Sequence, residues 1–410
     1  MATVKLLVIF VLILVALRQK VSVGITLFAA GLLTALLYQV AWLEILQGYW
    51  TLISSQRFIA LTAVICLITT LGSLLKELGY LQRMAQSCRS FYGGKKTATA
   101  LLPPLVGLMP MPGGALLSAP LVDEILAESR YSPEFKCATN YWFRHVVEHF
   151  MPIYPGMILT EAVTGLPAGK VAVLQAPLAV IMITLGLVFF IRKIDNGNEL
   201  RPEGIKNTWR AIQGILTTLW PVVMVLFLYA VFDINMALAA LITVGLMILV
   251  NRPSKSILLL SLKKGFSFNL VFLVFGILSF QTILDLSGAI ASIEKLSTAY
   301  NFPEEAIIIL VCFAAGILTG MYAAYVALGY SLLAGFLFQP VIVPENILLA
   351  FLSGYIGMML SPTHLCLIVT NEYFKSDLIK VLRKLLIPAL LLGIGGFLVY
   401  LAGWGNLIYP

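Results

Sequence analysis

Asn140–Gly156 reads NYWFRHVVEHFMPIYPG, and hydrophobic sequence flanks it on both sides. Within it stand Arg144, His145, Glu148 and His149, followed by Pro152 and Pro155. The chain of 410 residues is 60% hydrophobic and 11% charged, with a mean hydropathy of +0.97. Soluble domains carry charge on about a quarter of their residues, and a bilayer span needs about 20 apolar residues in a row. Many runs here approach or pass that length, so the ionisable cluster lies at membrane depth. Charge at that depth is expensive and faces protein or a water-filled path, which marks a functional site by default. On a helix, Asn140, Arg144 and Glu148 fall at i, i+4 and i+8, and His145 and His149 at i and i+4, so they share roughly one face. The two prolines lack N–H donors and interrupt the ladder. The spacing predicts a polar, broken transmembrane helix over 136–160.

Outward from this stretch, apolar spans are expected at Val4–Leu17, Val21–Val40, Phe58–Leu75 and Val171–Ile191, then at Ala211–Val231, Ile234–Val250 and Phe266–Leu284, with a last span ending near Leu401. Lys5 and the apolar run to Leu17 resemble a signal peptide, but Arg18 and Lys20 follow with no small-residue cleavage site, so a retained first helix is expected. Ala41–Gln56 reads as a connection, and Lys76–Lys96 as a basic amphipathic helix on the inner surface. Between Pro103 and Gly114 stand four prolines and three glycines, among them Pro110, Pro112, Gly113 and Gly114. One continuous helix cannot hold them. Irregular backbone at membrane depth survives only where it is buried or lines a cavity, so 97–129 is expected to be a re-entrant hairpin with its tip near Met109–Gly114. A second glycine-broken stretch, GILTGMYAAYVALGY, lies in 304–338, and a second broken helix, GYIGMMLSPTHLC with its break at Pro362, in 346–370.

The two halves overlay at an offset of about 210: Gly107 falls near Gly316, Pro133–Glu134 near Pro344–Glu345, and Pro152 on Pro362. A repeat of this length is the architecture itself. It gives a first repeat over 1–191, a cytoplasmic linker over 192–210 and a second repeat over 211–410. Each holds five spans, one hairpin and a broken helix after the hairpin. Five is odd, so the second repeat must enter the membrane inverted. With both termini outside, the inner segments hold 22 of the 27 Lys and Arg, four fall outside, and Arg144 is left in the membrane. That bias agrees with the rule that cytoplasmic loops carry the positive charge. It also accounts for the net charge of +8 without nucleic acid as a partner. Inverted repeats with paired broken helices point to a secondary transporter whose site lies at the repeat interface. The fold class expected is an all-α polytopic membrane protein.

The order hairpin, broken helix, linker, hairpin, broken helix resembles that of the ion-transporter superfamily, which includes gluconate permeases, citrate carriers and sodium-coupled carriers of divalent anions. The segments LMPMPGGALLSAP, NYWFRHVVEHFMPIYPG and LSPTHLC are most similar to a "domain of unknown function" branch of bacterial and archaeal permeases in it. The resemblance covers nearly the whole chain. It implies a scaffold part, a moving part that holds both hairpins, elevator-type alternating access, a homodimer and the cytoplasmic (inner) membrane of a prokaryote. The chain departs from the sodium/dicarboxylate members at the hairpin tips, which lack Ser-Asn-Thr and read Pro112-Gly113-Gly114 and Thr319-Gly320.

The site expected from these elements takes a small organic anion, a carboxylate above all, on Arg144 and on the tip backbone at Gly113, Gly114, Ala115, Gly320 and Met321. Ser118, Ser361 and Thr363 either touch the substrate or satisfy backbone groups freed at the breaks. His145, Glu148, His149 and His364 are the candidates for a coupling ion, a proton before sodium, because His titrates near neutral pH. Pro110, Pro112, Pro152, Pro155 and Pro362 are the structural breaks. Two other readings stay open. Arg144 and Glu148 at i, i+4 suit a pair that neutralises itself. The run from His145 to His149 also spells H-x-x-E-H, an inverted zinc-protease pattern, though no third ligand is visible. A passive channel or exporter on the same fold is the remaining alternative. The five cysteines are scattered without CxxC spacing, so no disulfide or metal site is expected. GGKKT at Gly93–Thr97 has Arg89 where a P-loop needs glycine, so no nucleotide site or other cofactor is expected.

Overall fold

The computed structural model describes residues 2–89, 94–109, 114–195, 204–291, 295 and 301–409. Pro110, Pro112 and Gly113 at the first hairpin tip lie outside the described residues, as do 196–203 of the linker and much of the stretch between Asp285 and Asn301. All regular structure among the described residues is helical. A lipid environment demands this of an open chain, because a helix satisfies its own backbone groups. The protein is an integral membrane protein built of helices.

Five helical stretches are long and apolar enough to cross a bilayer: Gln56–Glu77, Ala168–Lys193, Trp209–Val231, Lys255–Leu286 and Leu378–Leu401. The helices Val23–Tyr38 and Met236–Asn251 are equally apolar but have 16 residues each, a rise of about 24 Å. Their ends are set locally. Ser22 and Asn235 accept a hydrogen bond from the N–H three residues on, and Gln39 and Arg252 close the helices in the left-handed region. Side-chain capping of this kind suits Ser and Asn because it satisfies a donor the helix leaves free. The expected connection at Ala41–Gln56 is instead largely helical, Trp42–Ile53, with Trp42, Leu43, Leu46 and Trp50 exposed on it. The exposed face of this helix is itself apolar, which hid the helical period.

Interrupted helices occupy the four stretches expected to hold the hairpins and broken helices. Gly94–Gly107 and Ala115–Ile125 form the arms of the first hairpin, and Pro133–His145 leads to Pro155–Thr164. In the second half Glu304–Thr319 is followed by short helical pieces from Tyr322 to Leu337, and Pro344–Met359 leads to Leu365–Phe374. Pro133 and Pro344 each stand in the first turn of their helix, where the missing N–H costs nothing. The first break begins earlier than its prolines. The α-helix stops at His145 and tightens into a 3-10 turn over Val146–His149. Pro152 can neither donate to the Glu148 carbonyl nor fit against it, so the ladder fails one turn upstream. Pro155 then starts the next helix.

The packing pairs are reciprocal. Val23–Tyr38 lies on Phe268–Leu286, and Met236–Asn251 lies on Gln56–Glu77. The second arm of the first hairpin packs on Leu365–Phe374, and the second arm of the other packs on Pro155–Thr164. The base of the first hairpin is pinned by Lys95 and Arg130 on Glu128. The Lys95 ammonium, hydrogen-bonded to Glu128, holds that carboxyl below the usual range.

Two glycine contacts show how closely the arms approach the broken helices. A Cβ added at Gly107 would lie 2.8 Å from the Arg144 carbonyl oxygen, and one at Gly316 would lie 2.1 Å from the Gly354 carbonyl oxygen. Backbone cannot move aside as a side chain can. Gly316→Val is therefore expected to overpack the interface by about 1–3 kcal/mol, read as a lower Tm in detergent. Gly245, with nothing within 4 Å of an added Cβ, is the control. Gly245→Ala is expected to gain about 0.5–1 kcal/mol, and a loss there equal to that at Gly316 would contradict the packing.

Candidate functional site

The first broken helix carries its charges into the interior of the protein. Arg144 is 2% exposed, Glu148 7%, and Asn140, His145 and His149 are fully buried. Such groups are expected to have partners, yet several atoms have none. Arg144 Nε, Glu148 Oε2, His149 Nε2 and both amide atoms of Asn140 are buried without a hydrogen bond. No ion pair joins Arg144 to Glu148 within 4.0 Å among the described residues. The helix ends at His145, so Glu148 no longer sits one helical turn above Arg144, and the i, i+4 pair is not made.

The Arg144 guanidinium instead reaches the first hairpin. A Cβ added at Gly114 would lie 2.7 Å from Nη2 and 3.4 Å from Nε. Gly114 has φ −56°, so glycine is needed there for space and not for backbone freedom. It caps the helix Ala115–Ile125, whose first N–H groups have no helical acceptor and carry the positive end of the dipole. Ala115 and Ser118 are fully buried on that helix. A guanidinium and a helix N-terminus thus face one buried spot, an arrangement that suits an anion.

The second tip is built differently. Gly320 has φ +62° and its N–H donates to Gly316 O at 2.8 Å, while Met321 N–H donates to Thr319 Oγ1 at 3.3 Å. These two donors are committed within the chain, and the expectation that they receive an anion does not match this conformation. Ser361 Oγ donates to Ile317 O at 2.6 Å and lies 2.9 Å from Thr363 Oγ1. Ser118 Oγ donates to Ala115 O at 3.4 Å. Ser118 and Ser361 therefore satisfy backbone carbonyls, one of the two roles open to them, while Thr363 Oγ1 pairs with the Ser361 hydroxyl.

The histidines go to two different places. His145 Nδ1 lies 2.6 Å from the Tyr141 carbonyl, and its Nε2 lies 3.1 Å from His364 Nε2 and 3.9 Å from Glu148 Oε1. His149 turns away, with Nδ1 3.3 Å from Val146 O and its ring against Tyr355 and Phe351. The H-x-x-E-H spacing thus brings no pair of histidines together. The set that does converge is His145, His364 and Cys366. Sequence spacing misses it because 219 residues separate the two histidines. The only signal was the offset of the halves, which places Pro152 on Pro362 and so brings His364 to the corresponding break.

Tyrosines line the rest of the interior. Tyr355 donates to His145 O at 2.9 Å, and Tyr141 donates to Met359 O at 3.2 Å, so each broken helix donates to a carbonyl of the other. Tyr322 and Tyr325 stack at 5.2 Å, with both hydroxyls buried and unpartnered. A cavity of about 290 Å³ lies away from this cluster, lined by Arg57, Glu161 and Asn235 among others. Arg57 there donates to Ala162 O at 2.7 Å and to Gln281 at 3.1 Å.

Removing a partner from a buried ion pair costs about 3–5 kcal/mol, whereas removing a buried charge that makes no direct ion pair relieves a desolvation penalty. Arg144→Gln is accordingly expected to leave Tm unchanged or raised. A fall on the scale of a broken buried pair would show that the guanidinium is a structural partner.

The architecture is similar to that of the Alcanivorax borkumensis YdaH transporter, whose crystal structure was described as revealing an unusual topology. The TM-score is 0.56 with 13% sequence identity, over 89% of this chain and 89% of that one. At that identity the likeness is one of fold. No curated protein matches the chain. Neither the fold likeness nor the family profile bears on a relation to gluconate or citrate permeases. A family profile described as "protein of unknown function (DUF401)" matches residues 2–402, and the chain belongs to that family.

Proposed function

We propose that the chain is a secondary active transporter of a small organic anion, a carboxylate above all. One observation carries the reading: the buried Arg144 guanidinium, unpaired with Glu148, lies against Gly114 at the N-terminus of Ala115–Ile125. A carboxylate bound there accepts from the guanidinium and from backbone N–H groups at once, which gives charge-assisted bonds with fixed geometry. The fold shared with a transporter supports the same class.

The two halves are read as inverted repeats, 1–191 and 211–410. The reciprocal packing supports this, as does the matching approach of Gly107 to Arg144 and of Gly316 to Gly354. Arg144 and Gly354 are 210 residues apart, the offset of the repeat. On this reading a charged residue in one half corresponds to bare backbone in the other, and the anion site is assigned to the first half. Orientation follows from the charge bias, with the linker cytoplasmic and both termini outside the inner membrane. The hairpins and broken helices are the parts that move, against a scaffold that includes Gln56–Glu77 and Phe268–Leu286, in a homodimer with elevator-type access. Within the family reading, the ion-transporter relation stays part of this proposal. A proton is preferred to sodium as the coupling ion because the tips lack Ser-Asn-Thr, and His149, with its buried unpartnered Nε2, is the residue to which it is assigned.

Uptake into proteoliposomes tests this. An inward proton gradient is expected to drive radiolabelled carboxylate above equilibrium. Equilibration without accumulation under both proton and sodium gradients would favour the passive channel. Losing a hydrogen bond to a charged group costs about 1.5–3 kcal/mol, so Arg144→Gln is expected to weaken uptake about 10- to 100-fold, with Arg144→Lys intermediate. Full uptake of every carboxylate tried by Arg144→Gln would remove Arg144 from the site. Gly114→Val should block uptake by pushing the guanidinium off the tip.

A further inference from the structure

We propose that His145, His364 and Cys366 form a binding site for a borderline-to-soft metal cation of the zinc class, stapling the two broken helices together at their breaks. His145 is the last residue of Pro133–His145, and His364 caps the helix that begins at Leu365. Their Nε2 atoms are 3.1 Å apart, and the ligand atoms of the three residues all lie within 4.8 Å of one another. Zinc bonds of about 2.0–2.1 Å to nitrogen and 2.3 Å to sulfur, at tetrahedral angles, put two nitrogens about 3.3 Å apart and nitrogen and sulfur about 3.6 Å apart. The nitrogen pair already has that spacing, and the sulfur needs at most a small side-chain adjustment.

Hydrogen bonding independently points to a cation. The Tyr141 carbonyl only accepts, so His145 Nδ1, 2.6 Å away, carries the proton. Its neutral ring then turns the Nε2 lone pair toward His364. A carbonyl that fixes the tautomer and ring orientation in this way is the usual support of a metal-bound histidine. On the other ring, His364 Nδ1 is buried and unpartnered. If that atom holds the ring proton, two Nε2 lone pairs confront each other at 3.1 Å, an arrangement that a bridging cation relieves. If Nε2 holds it, a buried lone pair is left unsatisfied at Nδ1. Charge balance also permits the cation. A thiolate at Cys366 and the Glu148 carboxylate, 3.9 Å from His145 Nε2, together offset a divalent charge beside Arg144. Two imidazoles and one thiolate suit zinc or copper(I) rather than magnesium or calcium. Cys366 is partly exposed. The site is independent of what the protein transports.

The test uses the full-length chain in detergent, stripped with chelator and titrated with Zn²⁺ against a chromogenic competitor, and with Co²⁺ read by absorbance. One zinc per chain is expected, with a rise in Tm because the ion binds the folded state. Co²⁺ should give tetrahedral visible bands and a near-ultraviolet thiolate-to-cobalt band. Cys366→Ser and His364→Gln should each weaken zinc more than about 10-fold, on the scale seen even for outer-shell changes at metal sites. Cys366→His should keep the zinc and lose the thiolate band, and Cys88→Ser should keep both. The absence of stoichiometric zinc in the unmutated chain overturns the proposal, as does a thiolate band that survives in Cys366→Ser. The cobalt spectrum of the unmutated chain decides even where a variant fails to fold.

Discussion

A cation that cannot be hydrated must be compensated by something, and the interior around Arg144 is organised by that requirement. The side chain is 2% exposed and makes no ion pair within 4.0 Å among the described residues. An arginine at the centre of a membrane helix costs about 2.5–3.5 kcal/mol even on insertion scales. The surrounding elements meet the charge with geometry. The helix stops at His145, which takes Glu148 out of the i+4 position. Gly107 and Gly114 let the hairpin come down onto the Arg144 backbone and guanidinium. What results is a buried positive spot, with the amide of Asn140 one helical turn away and without a hydrogen bond.

The break is what permits this. Pro152 and Pro155 remove two donors and shift the failure of the helix upstream to Val146. The freed segment carries Glu148 and His149 away from the helical line and turns His145 toward the other half. In the second broken helix Pro362 does the same work without charges, and Ser361 Oγ accepts from the Thr363 N–H and donates to Ile317 O. The two breaks meet, with His145 Nε2 3.1 Å from His364 Nε2. Tyr355 and Tyr141 cross that junction in opposite senses, which fixes the spacing between the broken helices without any charged contact.

Much of this was legible in the residues. Composition and apolar run length gave an all-helical membrane protein, because no other feature competes with hydropathy at that strength. Proline and glycine density marked the four stretches where the helices are interrupted, since those residues act on the backbone directly. Partners distant in sequence were not legible. The 3-10 turn that separates Glu148 from Arg144 depends on a proline four residues further along, so a plain helical wheel paired the two. The union of His145, His364 and Cys366 follows only from the meeting of the breaks. The commitment of Gly320 and Met321 N–H groups within the chain depends on how the second tip folds, for which Thr319 at its edge is the one local signal. The helix at Trp42–Ile53 was hidden because its exposed face is itself apolar.

The central claim is that an anion binds against Arg144 at the first hairpin tip. A carboxylate that binds only the folded protein raises its stability, by about 2.7 kcal/mol at a hundred times its Kd. The most direct measurement is therefore a thermal-shift series of small carboxylates on the purified chain and on Arg144→Gln, at constant ionic strength. At least one carboxylate is expected to raise Tm in the unmutated chain in a saturable way and to leave Arg144→Gln unmoved. An equal, saturable rise in both proteins would contradict it.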